Sequence, residues 1–296
     1  MKVLLDDNGK LRLLWRAVIF FALGNWAIFP FLSRLADRFH LRAGLTPENI
    51  AVSEIQNFCT GLICTIIFAR YERRRVDGYG LPIQHALRRN TWEGAGAGVM
   101  MAAAVSVGML ALGGMQIHGL AVTDGALGRS ALAWLGANVC VGIAEEFWYR
   151  SYFLRTLWKS IGFWPASVAI ALIFAADHYF YKPGENVWDV ITLVSLSLCL
   201  CYSVLQTGTL WFAVGFHVAF DYMQLVVIGT PNGSQVPSGR LLNVTFNGPA
   251  WVTGGVLGTE ASFLMYPLIA LLWVYLWLRF RNPQPRSAIS TAGAYG

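Results

Sequence analysis

Charged side chains are scarce in this sequence. Only 13% of its 296 residues are Asp, Glu, Lys or Arg, and 56% are hydrophobic, whereas a soluble domain has about 25% charged residues. This composition excludes an ordinary soluble protein and predicts a polytopic protein of the cell membrane, with the lipid bilayer as its surroundings. The formal net charge is +6, but the basic residues cluster at the ends of apolar runs, as membrane topology requires. We therefore expect no nucleic-acid partner.

Several other features are missing. The five cysteines form no C-x-x-C pair and no pattern typical of secreted disulfides, so buried thiols are expected. No small-residue cleavage site follows the first apolar run, which we interpret as a retained span and not as a signal peptide. No internal repeat is visible. The motifs H-E-x-x-H, G-x-G-D and G-x-S-G of other intramembrane proteases are also absent.

Runs of about 20 apolar residues follow one another along the chain, and each is long enough to cross a bilayer as a helix. The predicted spans are Leu13–Leu35, Ile50–Ala69, Gly94–Gly114, Ala131–Leu157, Trp164–Tyr181, Val187–Leu205, Leu210–Ile228 and Ser262–Phe280. The predicted fold class is therefore all-α, a polytopic membrane helix bundle of about eight transmembrane helices. We expect residues 1–281 to form the bundle, with its core at 131–229, and residues 282–296 to be a short disordered cytoplasmic tail.

The distribution of basic residues predicts the orientation. With the N-terminus inside, the inner segments hold 16 of the 22 Lys and Arg residues and the outer segments hold 6. Both termini are therefore expected in the cytoplasm. The segment from Pro231 to Glu260, rich in Gly, Pro, Asn and Ser, is too long for a simple connector, and such loops often act as lids or binding loops.

Polar residues interrupt three of the predicted spans, always at helical spacing. The pairs, each four residues apart and so on one helix face, are Glu146 with Arg150, Phe174 with His178, and His217 with Asp221. Glu145 stands next to the first pair. A charged side chain at the centre of a transmembrane helix costs about 2.5–3.5 kcal/mol even on lenient scales, so these residues indicate a functional site.

Two kinds of chemistry fit this set. A glutamate can act as a general base on a water that attacks a carbonyl, while histidines hold the water or donate to an oxyanion. Alternatively, Glu145, His178, His217 and Asp221 form a nitrogen and oxygen set typical of zinc or another divalent metal. Both uses need a water-filled pocket within the bilayer, because a dry site would leave these groups unsolvated.

Simpler interpretations apply to some of these residues. Glu146 and Arg150 suit a buried ion pair that orients a helix, and we prefer that role for Arg150. Asp177 is equally suited to orienting His178 or to facing solvent at the helix end. Counting residues along the fourth span from Arg155 and Arg129 places Glu145 nearer the cytoplasmic side, so we expect the cavity to open inward.

The three motifs together resemble a known family. They match the series E-E-x-x-x-R, F-x-x-x-H and H-x-x-x-N/D of the CAAX-protease and bacteriocin-processing (CPBP, or Abi) family of intramembrane endopeptidases. The resemblance covers Ala131 to Tyr222. The matching residues are Glu145, Glu146, Arg150, Phe174, His178, His217 and Asp221, with Gly208-Thr209-Leu210-Trp211 leading into the third motif.

The resemblance implies peptide-bond hydrolysis in the membrane. It assigns Glu145, with His178, to activating water, and His217 with Asp221 to binding the oxyanion or completing a metal site. Glu146 and Arg150 would support this geometry. Asp221 stands where many relatives have asparagine, and a carboxylate is a better metal ligand but a poorer oxyanion donor. A metal-dependent and a metal-free glutamate mechanism therefore both remain open.

Our leading hypothesis is an intramembrane endopeptidase that cuts a membrane-embedded or lipidated protein near its C-terminus. The alternative is a non-proteolytic membrane scaffold or immunity protein of the same fold. A proton-coupled transporter also explains charges in spans, but it predicts broken helices or two similar halves, and the sequence shows no repeat.

Overall fold

The computed structural model describes residues 3–39, 44–121, 125–182 and 184–281. Within them, eight helical segments are long and apolar enough to cross a membrane, which confirms the all-α polytopic prediction. The segments are Leu13–Ala36, Pro47–Tyr71, Arg89–Ala111, Gly125–Ile161, Phe163–Tyr181, Val187–Thr207, Trp211–Ile228 and Gly255–Phe280. The predicted tail at 282–296 lies outside the described residues.

Several spans consist of more than one element. The α-helices are α1 (Leu13–Leu23), α2 (Phe29–Ala36), α3 (Pro47–Tyr71), α4 (Arg89–Ala111), α5 (Gly125–Trp148), α6 (Leu154–Ile161), α7 (Phe163–Tyr181), α8 (Val187–Thr207), α9 (Trp211–Asp221), α10 (Ala250–Thr253) and α11 (Met265–Phe280). Three π-helical segments interrupt or extend them, at Gly24–Ile28, Tyr149–Phe153 and Tyr222–Ile228. One of them begins directly after Asp221 and another contains Arg150, and π-segments are frequent at functional sites.

Two short strands form the cap of one end of the bundle. Strand β1 (Met115–Leu120) pairs antiparallel with β2 (Leu242–Phe246), with an irregularity between Ile117 and Gly119. Part of the 231–260 segment is therefore a strand, and its remainder includes α10 and a 3₁₀ segment, Gly255–Ala261. We call this the sheet end. The N-terminal segment lies at the opposite end, where Arg16 pairs with Glu72 at 3.1 Å, and we call that the N-terminal end.

Close helix packing positions the polar residues. Helix α4 packs along α9, and α3 packs along α5. Glycines permit the first contact, because a Cβ at Gly94 or Gly98 would meet backbone atoms of α9, and one at Gly215 would meet the backbone of α4. Small residues commonly allow such approach in membranes, where packing and not water exclusion holds helices together.

An aromatic cluster fills the bundle on the N-terminal-end side of the site. Phe20 stacks on Trp148 at 5.2 Å, on Tyr152 at 5.0 Å and on Phe153 at 6.0 Å between ring centroids. Trp148 also covers Gly24, where any side chain would collide with its ring. The interior is thus closed with aromatic rings just beyond Glu145 and Glu146 on that side.

Candidate active site

The predicted site residues line one cavity inside the bundle. Its volume is about 660 Å³, and its walls come from α3, α5, α7, α8, α9 and the π-segments. Glu145, His178, His217 and Asp221 all face it. Three separate spans therefore bring these four side chains to a common space, as a site that handles water within a membrane requires.

The cavity reaches toward the sheet end. Its lining residues from connecting segments are Leu45, Lys182, Asn232 and Gln235, and all of them belong to sheet-end loops. If both termini are cytoplasmic, as predicted, the sheet end faces outward, opposite to the predicted inward opening of the cavity; the orientation itself stays a prediction. The prediction used only the depth of Glu145 along the fourth span. In the structure, the aromatic cluster around Phe20 and Trp148 fills the interior on the N-terminal-end side.

His217 is surrounded by carboxylates. Its Nδ1 lies 3.0 Å from Glu146 Oε1, and its Nε2 lies 3.5 Å from Asp221 Oδ2 and 3.7 Å from Glu145 Oε2. Because carboxylates accept hydrogen bonds, this arrangement favours protons on both ring nitrogens. Nε2 is the ring nitrogen that faces Glu145 and Asp221, so it is the one placed to donate near them.

Glu146 is the fixed member of the glutamate pair. Its side chain is fully buried, and its Oε1 accepts a hydrogen bond from Arg150 Nη1 at 2.7 Å as well as the one from His217. Arg150 also donates to Ser197 Oγ at 2.7 Å and lies over the Phe174 ring, 5.6 Å from its centroid. Glu146 therefore holds His217 as well as Arg150, a contact that helical spacing did not predict.

Glu145 has a different environment. Its side chain is 19% exposed, and its Oε2 has no hydrogen-bond partner among the described residues. Arg150, the cation nearest in sequence, is engaged by Glu146 and Ser197. A carboxylate that lines the cavity without a tight partner is available to accept a proton from water.

His178 has its tautomer set by its own helix. The Nδ1 atom lies 3.0 Å from the carbonyl oxygen of Phe174. A carbonyl only accepts, so Nδ1 carries the proton, and in the neutral ring Nε2 keeps a free lone pair. Asp177 does not orient His178, because it accepts a hydrogen bond from Tyr149, on the neighbouring π-segment.

A second polar group lies on the sheet-end side of Asp221. Gln224 Nε2 donates to Asp221 Oδ1 at 3.3 Å and to Glu260 Oε1 at 3.0 Å, and Glu260 Oε2 lies 2.9 Å from Lys182 Nζ. Burial opposes the charge of Lys182, but the neighbouring carboxylates of Glu260, Asp189 and Glu185 outweigh it and raise the pKa of that ammonium. The chain of contacts links Asp221 to the 231–260 segment's last residue.

Sequence reasoning missed Glu54. It lies on α3, is 8% exposed and lines the same cavity, held by a hydrogen bond of 3.0 Å from Asn57 Nδ2 to its Oε2. The signal was available, since an acidic residue within an apolar span is a functional candidate by default. Lys182 and Glu260 had no such signal, because they lie next to connecting segments where charge is ordinary.

The donor set does not fit a metal as arranged. Among residues that the structure describes, no three or more His, Cys, Asp or Glu side chains are placed to hold a metal ion. Glu146 engages His217 Nδ1, so Nε2 is the ring nitrogen that faces Glu145 and Asp221, and Gln224 engages Asp221 Oδ1. The need for a metal stays a prediction.

Comparison with protein families gives one match. Residues 127–223 match the family described as type II CAAX prenyl endopeptidase Rce1-like, whereas no curated protein matches the chain. The matched segment is about a third of the chain and contains all three motifs, in agreement with the resemblance predicted over Ala131 to Tyr222. Residues 127–223 are therefore similar to the Rce1-like family of CAAX proteases, which agrees with the resemblance that the three motifs carry.

Proposed function

We propose that the protein is an intramembrane endopeptidase that hydrolyses a peptide bond of a membrane-associated, lipidated substrate near its C-terminus. The family match supports CAAX-type protease activity in general. The observation that carries the specific mechanism is the meeting of Glu145, His178, His217 and Asp221 in one cavity within the spans.

Glu145 is the general base in this proposal. A water held by His178 Nε2 loses a proton to Glu145 as its oxygen attacks the scissile carbonyl carbon. Support comes from the available carboxylate of Glu145 and from the hydrogen bond that leaves His178 Nε2 unprotonated. General-base catalysis of this kind contributes about 10²–10⁴ in rate.

His217 stabilises the tetrahedral intermediate. Its Nε2–H donates to the oxyanion, while Glu146 and Asp221 maintain the charge and orientation of the ring. The C–N bond then breaks, and Glu145 returns its proton to the leaving amine. Asp221 thus supports the donor here and does not donate itself, which fits the hydrogen bond that it accepts from Gln224.

Hydrolysis by reconstituted protein tests the proposal. Purified protein in lipid vesicles is given a fluorogenic peptide that carries a farnesylated cysteine, and its activity is compared with that of Glu145→Gln. We expect the variant to lose about 10²–10⁴ of kcat. Glu48→Gln is the matched control, because Glu48 is exposed in the first turn of α3 and does not line the cavity.

A measurement with a metal chelator tests, in the same assay, whether activity depends on a metal. Wild-type protein treated with o-phenanthroline and assayed for bound zinc should keep its activity under the proposed mechanism. Loss of activity that added Zn²⁺ restores would assign the metal-dependent alternative. A folded Glu145→Gln variant with full hydrolysis would refute the base assignment. Full biological activity of that variant without any hydrolysis would support the scaffold alternative.

A further inference from the structure

Glu54 is a cavity carboxylate that the proposed reaction does not use. It comes from α3, outside the segment that matches the protease family. Asn57 donates to its Oε2, but in the described parts of the chain no Lys or Arg forms an ion pair with it. His217, whose charge acts on Glu54, is already surrounded by three other carboxylates.

The position of Glu54 is set by packing of α3 on α5. The rings of Phe58 and Phe147 lie 5.3 Å apart, and Ile50 and Ala51 pack with Trp134 nearer the sheet end. The two helices therefore run in the same direction. Glu54 precedes Phe58 by one turn, about 6 Å, so it lies on the sheet-end side of Phe147. That is the side toward which the cavity extends.

The charges that line the cavity are unevenly compensated. Its two strong cations are both paired, Arg150 with Glu146 and Lys182 with Glu260 and Glu185. Glu145 has only His217 at 3.7 Å, which it shares with Glu146 and Asp221, and the described contacts of Glu54 and Asp177 are hydrogen bonds from Asn57 and Tyr149. A buried carboxylate without a counter-ion is costly, and a cation that enters the cavity removes that cost.

We propose that Glu54 forms a subsite for a lysine or arginine side chain of the peptide substrate. This inference rests on the proposed function and adds a substrate class to it. A basic side chain entering from the sheet end meets Glu54 while the backbone extends to Glu145. A substrate with an acidic residue at that position is disfavoured, because every cation of the lining is already paired.

Matched peptides test this specificity. Farnesylated fluorogenic peptides carry either lysine or its uncharged analogue norleucine at one position near the cleaved bond, with each position tried in turn. For wild-type protein we expect kcat/KM to favour lysine by about tenfold at the position that reaches Glu54. The preference should fall to near one in Glu54→Gln and persist in Glu48→Gln. Glu54→Lys should reverse it toward a peptide with glutamate.

The outcomes separate the subsite from other roles of Glu54. Equal preference for the two peptides in wild-type protein at every position would refute the proposal, as would an equal loss of kcat on both peptides in Glu54→Gln. If Glu54→Gln does not fold, Glu54→Asp keeps the charge, and an unchanged lysine preference in it supports the subsite. Photo-crosslinking of the same peptides measures binding without cleavage, so it reports on Glu54 even if no peptide is hydrolysed.

Discussion

Glu145 and Glu146 are neighbours in sequence but have separate surroundings. Glu146 is buried, accepting hydrogen bonds from Arg150 and His217, whereas Glu145 faces the cavity. Consecutive helical residues point about 100° apart, so adjacent carboxylates can face a partner and a cavity respectively. This difference supports the proposed division of roles, in which Glu146 positions His217 and Glu145 exchanges a proton with water.

The ion pair of Glu146 with Arg150 should be essential for the structure. Arg150→Met leaves the Glu146 carboxylate buried without its main partner, and breaking a buried pair in this way costs about 3–5 kcal/mol. We expect a large drop in the unfolding temperature in detergent and loss of hydrolysis. Arg89→Met is the matched control, since its pair with Glu93 is 75% exposed on the arginine side and should contribute less than about 1 kcal/mol. Equal unfolding temperatures for the two variants would contradict this role.

At the scale of elements, the site depends on how closely α9 lies against α4. The backbone of α9 reaches Gly94 and Gly98, and the backbone of α4 reaches Gly215. His217 follows Gly215 by two residues, so any displacement of α9 moves the imidazole relative to Glu145 on α5. Helix packing in membranes relies on such small residues.

Alanine substitutions along α4 test this dependence. A Cβ at Gly98 would lie closer than 3.0 Å to backbone atoms of α9, so Gly98→Ala should lower stability and activity together. Gly96→Ala is the control on the same helix, because nothing lies within 4 Å of the added methyl. That control should be neutral or more stable by about 0.5–1 kcal/mol, as alanine is the better helix former. Similar losses in both variants would refute the packing argument.

At the scale of the whole molecule, the two ends of the bundle differ in how they border the cavity. Aromatic rings fill the interior on the N-terminal-end side of Glu145, and the sheet-end loops line the cavity. Under the proposed function, we expect a peptide substrate to approach the site from the sheet end or through the adjacent lipid. Exposed Trp26 and Tyr181, which both line the cavity, flank it on two spans.

Cysteine labelling in intact cells tests this orientation. With both termini in the cytoplasm, Gln235→Cys at the sheet end and Leu225→Cys within the cavity should react with an impermeant maleimide added outside. Ile83→Cys, which is 84% exposed near the N-terminal end, should react only after permeabilisation. The wild-type protein, with five free cysteines, gives the background. The reverse pattern would show that the cavity opens to the cytoplasm.

The helical spans were predictable because length and hydropathy decide whether a segment crosses a bilayer. All eight spans were identified, although their observed ends differ from the predicted ones. The fourth, predicted over Ala131–Leu157, extends over Gly125–Ile161 and includes a π-segment. Hydropathy carries no information on which backbone groups form hydrogen bonds with each other, so it could not predict the π-segments. Nor could it predict that β1 and β2 would pair, since even the paired residues nearest in sequence, Leu120 and Leu242, are 122 residues apart.

The sequence by itself determined the membrane class, the eight spans and the motifs that carry the family resemblance, because composition and periodicity act locally along the chain. Only the tertiary structure decided that Glu146 contacts His217, that Glu54 shares their cavity and that the lining loops come from the sheet end. These relations join residues far apart in sequence. They arise from how α3, α5, α7 and α9 pack, and no spacing within a single helix encodes that.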